Sequence, residues 1–97
     1  MVVCKTCKES VVEGEFCRQA ELGGGFVGKW VDPTRRGAPD RVLVMPFGVY
    51  FVELKRPKGK AKVHQENYHK LIRKAGGEVY LVDSVEAVHS FYRMIAP

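Results

Sequence analysis

Two carboxylates and one lysine stand at a spacing that could bring them to one divalent metal ion. Asp40 precedes one strand-like run of the chain, and Glu53 and Lys55 end the next one. Residues two apart on a β-strand point to the same face, so Glu53 and Lys55 are expected to lie side by side. If the intervening turn is centred between Pro46 and Phe47, Asp40 lies opposite Glu53 with the Cβ atoms about 5 Å apart. Both carboxylates could then share one ion.

The register of this hairpin decides whether Asp40 reaches Glu53. A type I turn with Gly48 in the left-handed conformation would shift the pairing by one residue. Asp40 would then face Leu54, and a bulge or a bend would be needed to bring the carboxylates together. The residues alone leave both registers open. They also leave open that Asp40 is only a turn residue, and that Glu53 and Lys55 are an ion pair at an exposed strand end.

These residue types suit the hydrolysis of a phosphodiester bond. Mg²⁺ or Mn²⁺ binds to hard carboxylate oxygens, neutralises charge at a phosphate and orients a water molecule. A lysine beside the ion, here Lys55, can orient or deprotonate that water and stabilise the transition state.

The elements that would position these residues predict an α/β fold of the mixed α+β kind. The expected order is α-β-β-β-α-β-α, a mixed sheet flanked by helices in one domain spanning residues 1–97. The predicted elements are a helix from Ser10 to about Leu22, strands at Phe26 to Val31, Arg41 to Met45 and Val49 to Leu54, a helix from His64 to Ala75, a strand from Glu78 to Val82, and a helix after Asp83.

Helical spacing predicts which side of each helix packs on the sheet. The expected inward residues are Val12, Phe16 and Ala20, then Tyr68, Leu71, Ile72 and Ala75, then Val88, Phe91, Tyr92 and Ile95. Ser10 to Glu13 and Asp83 to Glu86 each match a capping box, which explains Glu13 without any chemistry. The three histidines are expected at the surface, and none is assigned to a metal.

Positive charge is concentrated in one stretch of the chain. The segment from Lys55 to Lys74 holds eight of the 16 Lys and Arg residues and one acid, although the net charge of the whole chain is only +5. A concentrated basic patch binds polyanions, chiefly nucleic acid. A solvated, lysine-rich loop would show the same charge pattern in the sequence. The candidate DNA contacts are Lys29, Arg35, Arg36, Arg56, Lys58, Lys60 and Lys62.

Three cysteines are too few for a closed structural zinc site without help from a histidine. Cys4 and Cys7 form one C-x-x-C pair and Cys17 stands apart, whereas such a site needs four ligands. Reduced, non-catalytic thiols are therefore expected, as in a cytosolic protein. No apolar run approaches the ~18 residues of a membrane span, so a cytoplasmic location is expected.

An ordered set of motifs resembles a known family. Gly37-Ala38-Pro39-Asp40, followed by Glu53-Leu54-Lys55, resembles the motif of the PD-(D/E)xK nucleases. More narrowly, residues 9–83 are similar to the virus-type replication-repair nuclease family (VRR-NUC). The further matching stretches are Glu9 to Glu13, Gly24-Gly25, Lys29, Arg35-Arg36-Gly37, and Gln65 in the helix after the active-site strand. Residues 1–8 lie outside the resemblance.

The resemblance implies roles for individual residues. Asp40, Glu53 and the backbone carbonyl of Leu54 would bind Mg²⁺ or Mn²⁺, Lys55 would be catalytic, Glu13 would reach the metal directly or through water, and Gln65 would orient groups at the edge of the site. The family's stand-alone members are small phage or bacterial proteins, some of them homodimers that cut four-way (Holliday) junctions. The resemblance thus implies a homodimeric endonuclease for branched DNA in replication, recombination or DNA repair.

A function of another class competes with this interpretation. The basic stretch and the Cys4/Cys7 pair are also compatible with a non-catalytic nucleic-acid-binding module that has a zinc-knuckle-like N-terminus. An HNH-type nuclease is less well matched, because His64 and His69 lack the ββα context of that chemistry.

Overall fold

The computed structural model describes residues 11–56 and 59–97, which form a four-stranded sheet and three helices. In chain order the elements are α1 (Val11–Leu22), β1 (Phe26–Lys29), β2 (Arg41–Met45), β3 (Gly48–Leu54), α2 (Val63–Lys74), β4 (Val79–Val82) and α3 (Val85–Ile95). The strands lie in the order β1-β2-β3-β4, with β1, β2 and β3 antiparallel and β4 parallel to β3. The mixed α/β fold and the order of its elements are therefore as the sequence predicts.

The β2–β3 hairpin has the register in which Asp40 lies opposite Glu53. Met45 pairs with Gly48 across a two-residue turn, and Arg41 pairs with Val52 at the open end. The glycines with positive φ among the described residues do not include Gly48, so the shifted register with a left-handed Gly48 is not formed. Continuing the pairing by one residue beyond Arg41 places Asp40 against Glu53.

The apolar core fills one face of the sheet, under α1 and α3. Phe16 of α1, Leu43 of β2, Val52 of β3 and Val88 of α3 are completely buried in it. These helices turn inward the faces that their periodicity predicts. The hydroxyl of Tyr92 also donates a hydrogen bond of 2.7 Å to the carbonyl of Phe16, which ties α3 to α1.

Helix α2 does not bury the face that its apolar residues predict. Its only buried residue is His69, whereas Leu71 is 52% exposed and Ala75 is also exposed. Tyr68 is half-buried rather than part of the core, and its hydroxyl donates to Asp32 at 2.8 Å. The prediction failed because α2 covers the Glu53 side of the sheet, opposite the core, where a polar side chain is turned inward.

The start of α3 is capped one residue later than expected. The N-cap is Ser84, whose hydroxyl oxygen accepts a hydrogen bond of 3.0 Å from the backbone N–H of Ala87. Asp83 is therefore not the N-cap and Glu86 is not its capping-box partner, because Ala87 occupies the third helical position. Ser10, the expected cap of α1, lies outside the described residues.

The cysteines differ from expectation at the one position that the structure describes. Cys17 is buried in α1 and is disulfide-bonded, so the prediction of a reduced thiol is wrong for this residue. Cys4 and Cys7 lie outside the described residues. Within the described part of the chain, every helix is too short or too polar to cross a bilayer.

Candidate active site

Asp40 is held against β3 by hydrogen bonds to its side chain and its backbone. Its Oδ1 accepts a hydrogen bond of 3.1 Å from the backbone N–H of Leu54, and its carbonyl accepts one of 3.1 Å from the N–H of Trp30. The first bond fixes the carboxylate beside the Glu53–Leu54 peptide. The second continues the β1–β2 ladder by one residue, so the bend at Asp40 is held from both sides.

Glu53 carries a buried carboxyl group that lacks compensation. The residue is 4% exposed, and its Oε1 has no hydrogen-bond partner among the described residues. Burial, and then the negative charge of Asp40, raise its pKa to about 7, against the opposing charges of Lys55 and Arg41. Burial likewise raises the pKa of Asp40. Two carboxyl groups that resist ionisation together form a site to which a cation can bind favourably.

Lys55 follows on the same face of β3, where it is half-buried. Its backbone N–H donates to the carbonyl of Val82 at 2.9 Å, which continues the β3–β4 pairing past the end of β3 and fixes the main chain there. Its charge lowers the pKa of both Asp40 and Glu53. The ammonium group therefore acts electrostatically on both carboxylates.

The donor set fits a hard divalent cation that keeps part of its water shell. Across residues 11–56 and 59–97, no three His, Cys, Asp or Glu side chains form a metal cluster. Mg²⁺, however, is usually held by one or two carboxylates together with water, not by an all-protein cage. Asp40 and Glu53 supply two carboxylates, and because the carboxyl group of Glu53 is buried with an unpartnered oxygen, a cation beside it would offset the cost of its ionisation.

Glu13 reaches the site through Arg41, a residue that was not among the predicted site residues. Glu13 Oε1 and Arg41 Nη2 form a buried ion pair of 2.5 Å. The Nη1 of Arg41 donates to the Asp40 carbonyl at 3.0 Å and lies 4.0 Å from its Oδ2. The signal for Arg41 was its position at the start of an apolar strand, on the same face as Leu43 and Met45 of the core.

His69 faces the sheet, an inward position that no pattern in the sequence indicates. It is 5% exposed, and its Nε2 lies 3.8 Å from Glu53 Oε1. Burial lowers its pKa, with a smaller contribution from the positive charge of Arg73. The expectation of a surface histidine is therefore wrong for His69, whereas His64 and His89 are half-buried.

Gln65 contributes to the start of α2 in this structure. Its Oε1 accepts a hydrogen bond of 2.8 Å from the backbone N–H of Lys62, the N-cap of the helix. This contact gives Gln65 a structural role at the start of the helix.

The candidate DNA contacts among the described residues are exposed, and four of them lie in segments that adjoin the start of α2. The segment 32–37 carries Arg35 and Arg36 and docks on the beginning of α2, where Gly37 packs so closely that a Cβ would collide with the carbonyl of His64. Lys60 and Lys62 precede the same helix end. The exposed candidates are Lys29, Arg35, Arg36, Arg56, Lys60 and Lys62, and Lys58 lies outside the described residues.

Comparison with known proteins identifies the class and the family. No protein-family model matches the chain. The chain is 35% identical over 78 residues to "Putative nuclease p44" of Acyrthosiphon pisum secondary endosymbiont phage 1, a match that covers 79% of this chain and 84% of that protein. It also matches a solved structure described as "VRR_NUC domain" with a TM-score of 0.81 and 32% identity, covering 88% of this chain and 94% of the other.

The fold and these likenesses define a nuclease with a PD-(D/E)xK-like fold. Within that class the chain belongs to the VRR_NUC family.

Proposed function

We propose that this nuclease is a Mg²⁺- or Mn²⁺-dependent endonuclease that hydrolyses phosphodiester bonds of DNA. Asp40, Glu53 and the carbonyl of Leu54 hold the metal, and Lys55 is the catalytic lysine. The observation that carries the proposal is the pairing of two carboxyl groups, one fixed by the Leu54 N–H and the other buried with an unpartnered oxygen. Such a pair is costly to ionise without a cation and becomes favourable with one.

The residues of the site divide the chemistry among them. A divalent ion held by Asp40 and Glu53 would supply charge neutralisation at the phosphate and help to activate the attacking water. Lys55 donates hydrogen bonds to the attacking water or to a phosphate oxygen and stabilises the negative charge that develops there. Asp40 and Glu53 keep their positions through the strand pairing, so the geometry is set before the substrate arrives. Glu13 acts through Arg41, directly on the metal, or through water.

The basic residues around α2 are proposed to hold the DNA backbone. Arg35 and Arg36 on one segment, and Lys60 and Lys62 on another, are exposed in segments that adjoin the start of α2. Contacts to phosphates position a duplex without reading its sequence. This arrangement suits the recognition of DNA shape, and a four-way junction or other branched DNA is the proposed substrate, encountered in the cytoplasm of a bacterial host during phage replication, recombination or repair.

A homodimer is proposed because one chain offers one site, whereas a junction has two strands to cut. The sheet face that carries Glu53 continues into apolar side chains that α2 leaves open. Phe26 is 61% and Val49 is 52% exposed, and Trp30 packs edge-on against Phe51 at 5.2 Å between ring centroids. Strand alternation puts all four on one face. An exposed apolar surface of this kind is typical of an interface, and a second copy of the chain is the proposed occupant.

The test is metal-dependent cleavage with a matched lysine control. Wild-type protein should cut four-way junctions faster than linear duplex with Mn²⁺ or Mg²⁺, and EDTA should abolish cleavage. Lys55→Ala should reduce the rate by at least about 100-fold without weakening DNA binding, because it removes charge stabilisation in the transition state. Lys70→Ala, on the exposed side of α2, should leave the rate unchanged.

The result that would contradict the proposal is DNA binding without any cleavage by the wild type. One equivalent of bound zinc per chain, together with that result, would favour the rival nucleic-acid-binding module with its zinc-knuckle-like N-terminus. Cys4 and Cys7, on which the rival depends, lie outside the described residues.

A further inference from the structure

His69 is turned toward Glu53 from a helix that is otherwise exposed or half-buried. The side chains of His69 and Glu53 are 7% and 5% exposed, although α2 as a whole is polar and buries no apolar residue. A helix that packs on a sheet normally turns an apolar stripe inward. The inward position of an imidazole at this one place points to a polar task beside Glu53.

The two buried side chains face each other through atoms that have no other partner. His69 Nε2 and Glu53 Oε1 are 3.8 Å apart, and neither atom has a hydrogen-bond partner among the described residues. Buried polar atoms in proteins are nearly always hydrogen-bonded. The separation exceeds that of an N–H···O hydrogen bond by about 1 Å, which is within reach of a small rotation of either side chain.

We propose that His69 is a positioning residue for Glu53. With a metal bound, its Nε2–H would donate a hydrogen bond to Glu53 Oε1, which would hold the carboxylate and leave its other oxygen for the ion. The proposal rests on the proposed metal-dependent function and adds a residue to it. His69 is neither a metal ligand nor in contact with the DNA in this arrangement.

The expected consequence is a loss of metal affinity that a conservative variant avoids. Removing a hydrogen-bond partner of a metal ligand typically weakens metal binding by about 10- to 100-fold. His69→Leu should therefore raise the Kd for Mn²⁺ by at least about 10-fold. His69→Gln should stay within about threefold of wild type, because the amide N–H of glutamine reaches close to the position of Nε2. His64→Leu, on the same helix, should bind Mn²⁺ as wild type does.

The experiment measures Mn²⁺ binding by titration calorimetry on the full chain without DNA, with thermal unfolding of each variant in EDTA. A weakened His69→Leu, a normal His69→Gln and a normal His64→Leu would support the positioning role. Equal affinity of His69→Leu and wild type would overturn it, and so would an equal loss in His69→Leu and His69→Gln. A wild-type chain that binds no Mn²⁺ would overturn the proposed function itself, whereas normal wild-type binding with an unaffected His69→Leu removes only the role of His69.

A measurement on the wild type keeps the proposal testable if His69→Leu does not fold. Long-range ¹H–¹⁵N spectra of the Mg²⁺-loaded chain report which ring nitrogen of His69 carries the proton. A protonated Nε2 is expected. A neutral ring with its proton on Nδ1 alone would overturn the proposal, because Nε2 would then face the carboxylate as a bare acceptor.

Discussion

At the residue scale, the candidate site is an assembly of buried ionisable groups that compensate one another only in part. Arg41, which is paired with Glu13, donates a hydrogen bond to the carbonyl of Asp40, and the backbone N–H of Leu54 donates one to its Oδ1. Glu53 has no comparable partner in the described chain apart from the distant His69 Nε2. Without a cation, ionisation of the Glu53 carboxyl group is therefore the most costly charge in the site. This cost should appear as a dependence of the free energy of unfolding on pH.

The stability of the metal-free protein should fall as the pH rises through the titration of Glu53. Its pKa is about 7 in the folded chain against an ordinary value of 4.5, so the folded state holds an extra proton between these values. Raising the pH from 5 to 8 removes that proton and should lower the free energy of unfolding by about 2 kcal/mol, allowing for solvent screening. Glu53→Gln should lose this part of the pH dependence. Urea unfolding in EDTA at the two pH values measures it.

The control for this prediction is Glu86→Gln, a change at an exposed glutamate in the first turn of α3. It should keep the pH dependence of the wild type. An identical slope in wild type and Glu53→Gln would contradict the assignment of the raised pKa to Glu53. Saturating Mg²⁺ should restore stability to the wild type at pH 8 and not to Glu53→Gln, because the ion binds to the folded carboxylate pair.

At the element scale, the β2–β3 hairpin positions the two carboxylates and α2 covers them. The two-residue turn sets the register that places Asp40 opposite Glu53. Helix α2 then covers that face with His69 and receives the segment 32–37 at its beginning, through Gly37 and through the hydrogen bond between Tyr68 and Asp32. Segment 32–37, which carries Arg35 and Arg36, thus contacts the same helix that covers Asp40 and Glu53.

Gly37→Ala should loosen this attachment, and Gly76→Ala provides a matched control. Both glycines have φ of +89°, which an alanine adopts only with strain. A Cβ at Gly37 would also collide with the His64 carbonyl, whereas a Cβ at Gly76 would meet nothing within 4 Å. Gly76→Ala should cost about 1 kcal/mol of stability, and Gly37→Ala should cost at least about 2 kcal/mol more because the segment must move. Urea unfolding compares the two.

The same pair of variants tests whether the position of segment 32–37 matters for DNA. Gly37→Ala should weaken the binding of a four-way junction, because Arg35 and Arg36 shift relative to the site, and Gly76→Ala should not. Equal costs in stability and equal DNA affinity for the two variants would show that the contact of Gly37 with α2 is unimportant.

At the scale of the whole molecule, the two faces of the sheet are used unequally. One face is filled by α1 and α3 and holds the described apolar core. The other carries the candidate site at the edge near α2 and leaves Phe26 and Val49 exposed further along. An interface between two copies over this open area would lie on the same face as both active sites.

Val49→Lys should separate the proposed dimer into monomers. It places a charge on the open apolar face, where burial against a second copy would leave that charge without a partner. Met94→Lys is the control, since Met94 is 58% exposed on α3 at the other side of the molecule. Sedimentation velocity should give a dimer for wild type and Met94→Lys and a monomer for Val49→Lys. The Val49→Lys variant should also cut the two strands of a four-way junction more slowly. A monomeric wild type would rule out the homodimer.

The sequence by itself determined the order of the elements and the partnership of Glu53 with Lys55. Alternation along a strand is a local property, so two residues of β3 share a face in any tertiary setting. The periodicity of α1 and α3 is equally local, and these helices turn inward the faces that it predicts, whereas the N-cap of α3 is Ser84, one residue later than expected.

Only the tertiary structure decided the rest of the site. The register of the hairpin depended on whether Gly48 took the left-handed conformation, and the residue type permits both. The inward position of His69 and the Glu13–Arg41 pair join elements far apart in the chain, and burial of such groups is set by what packs above them. Hydrophobic periodicity predicts only where apolar residues are buried, so it does not predict that a polar side chain such as His69 faces a carboxylate. Glu53, expected from the sequence, therefore acquired its two polar neighbours, Asp40 and His69, only when the strands and α2 came together.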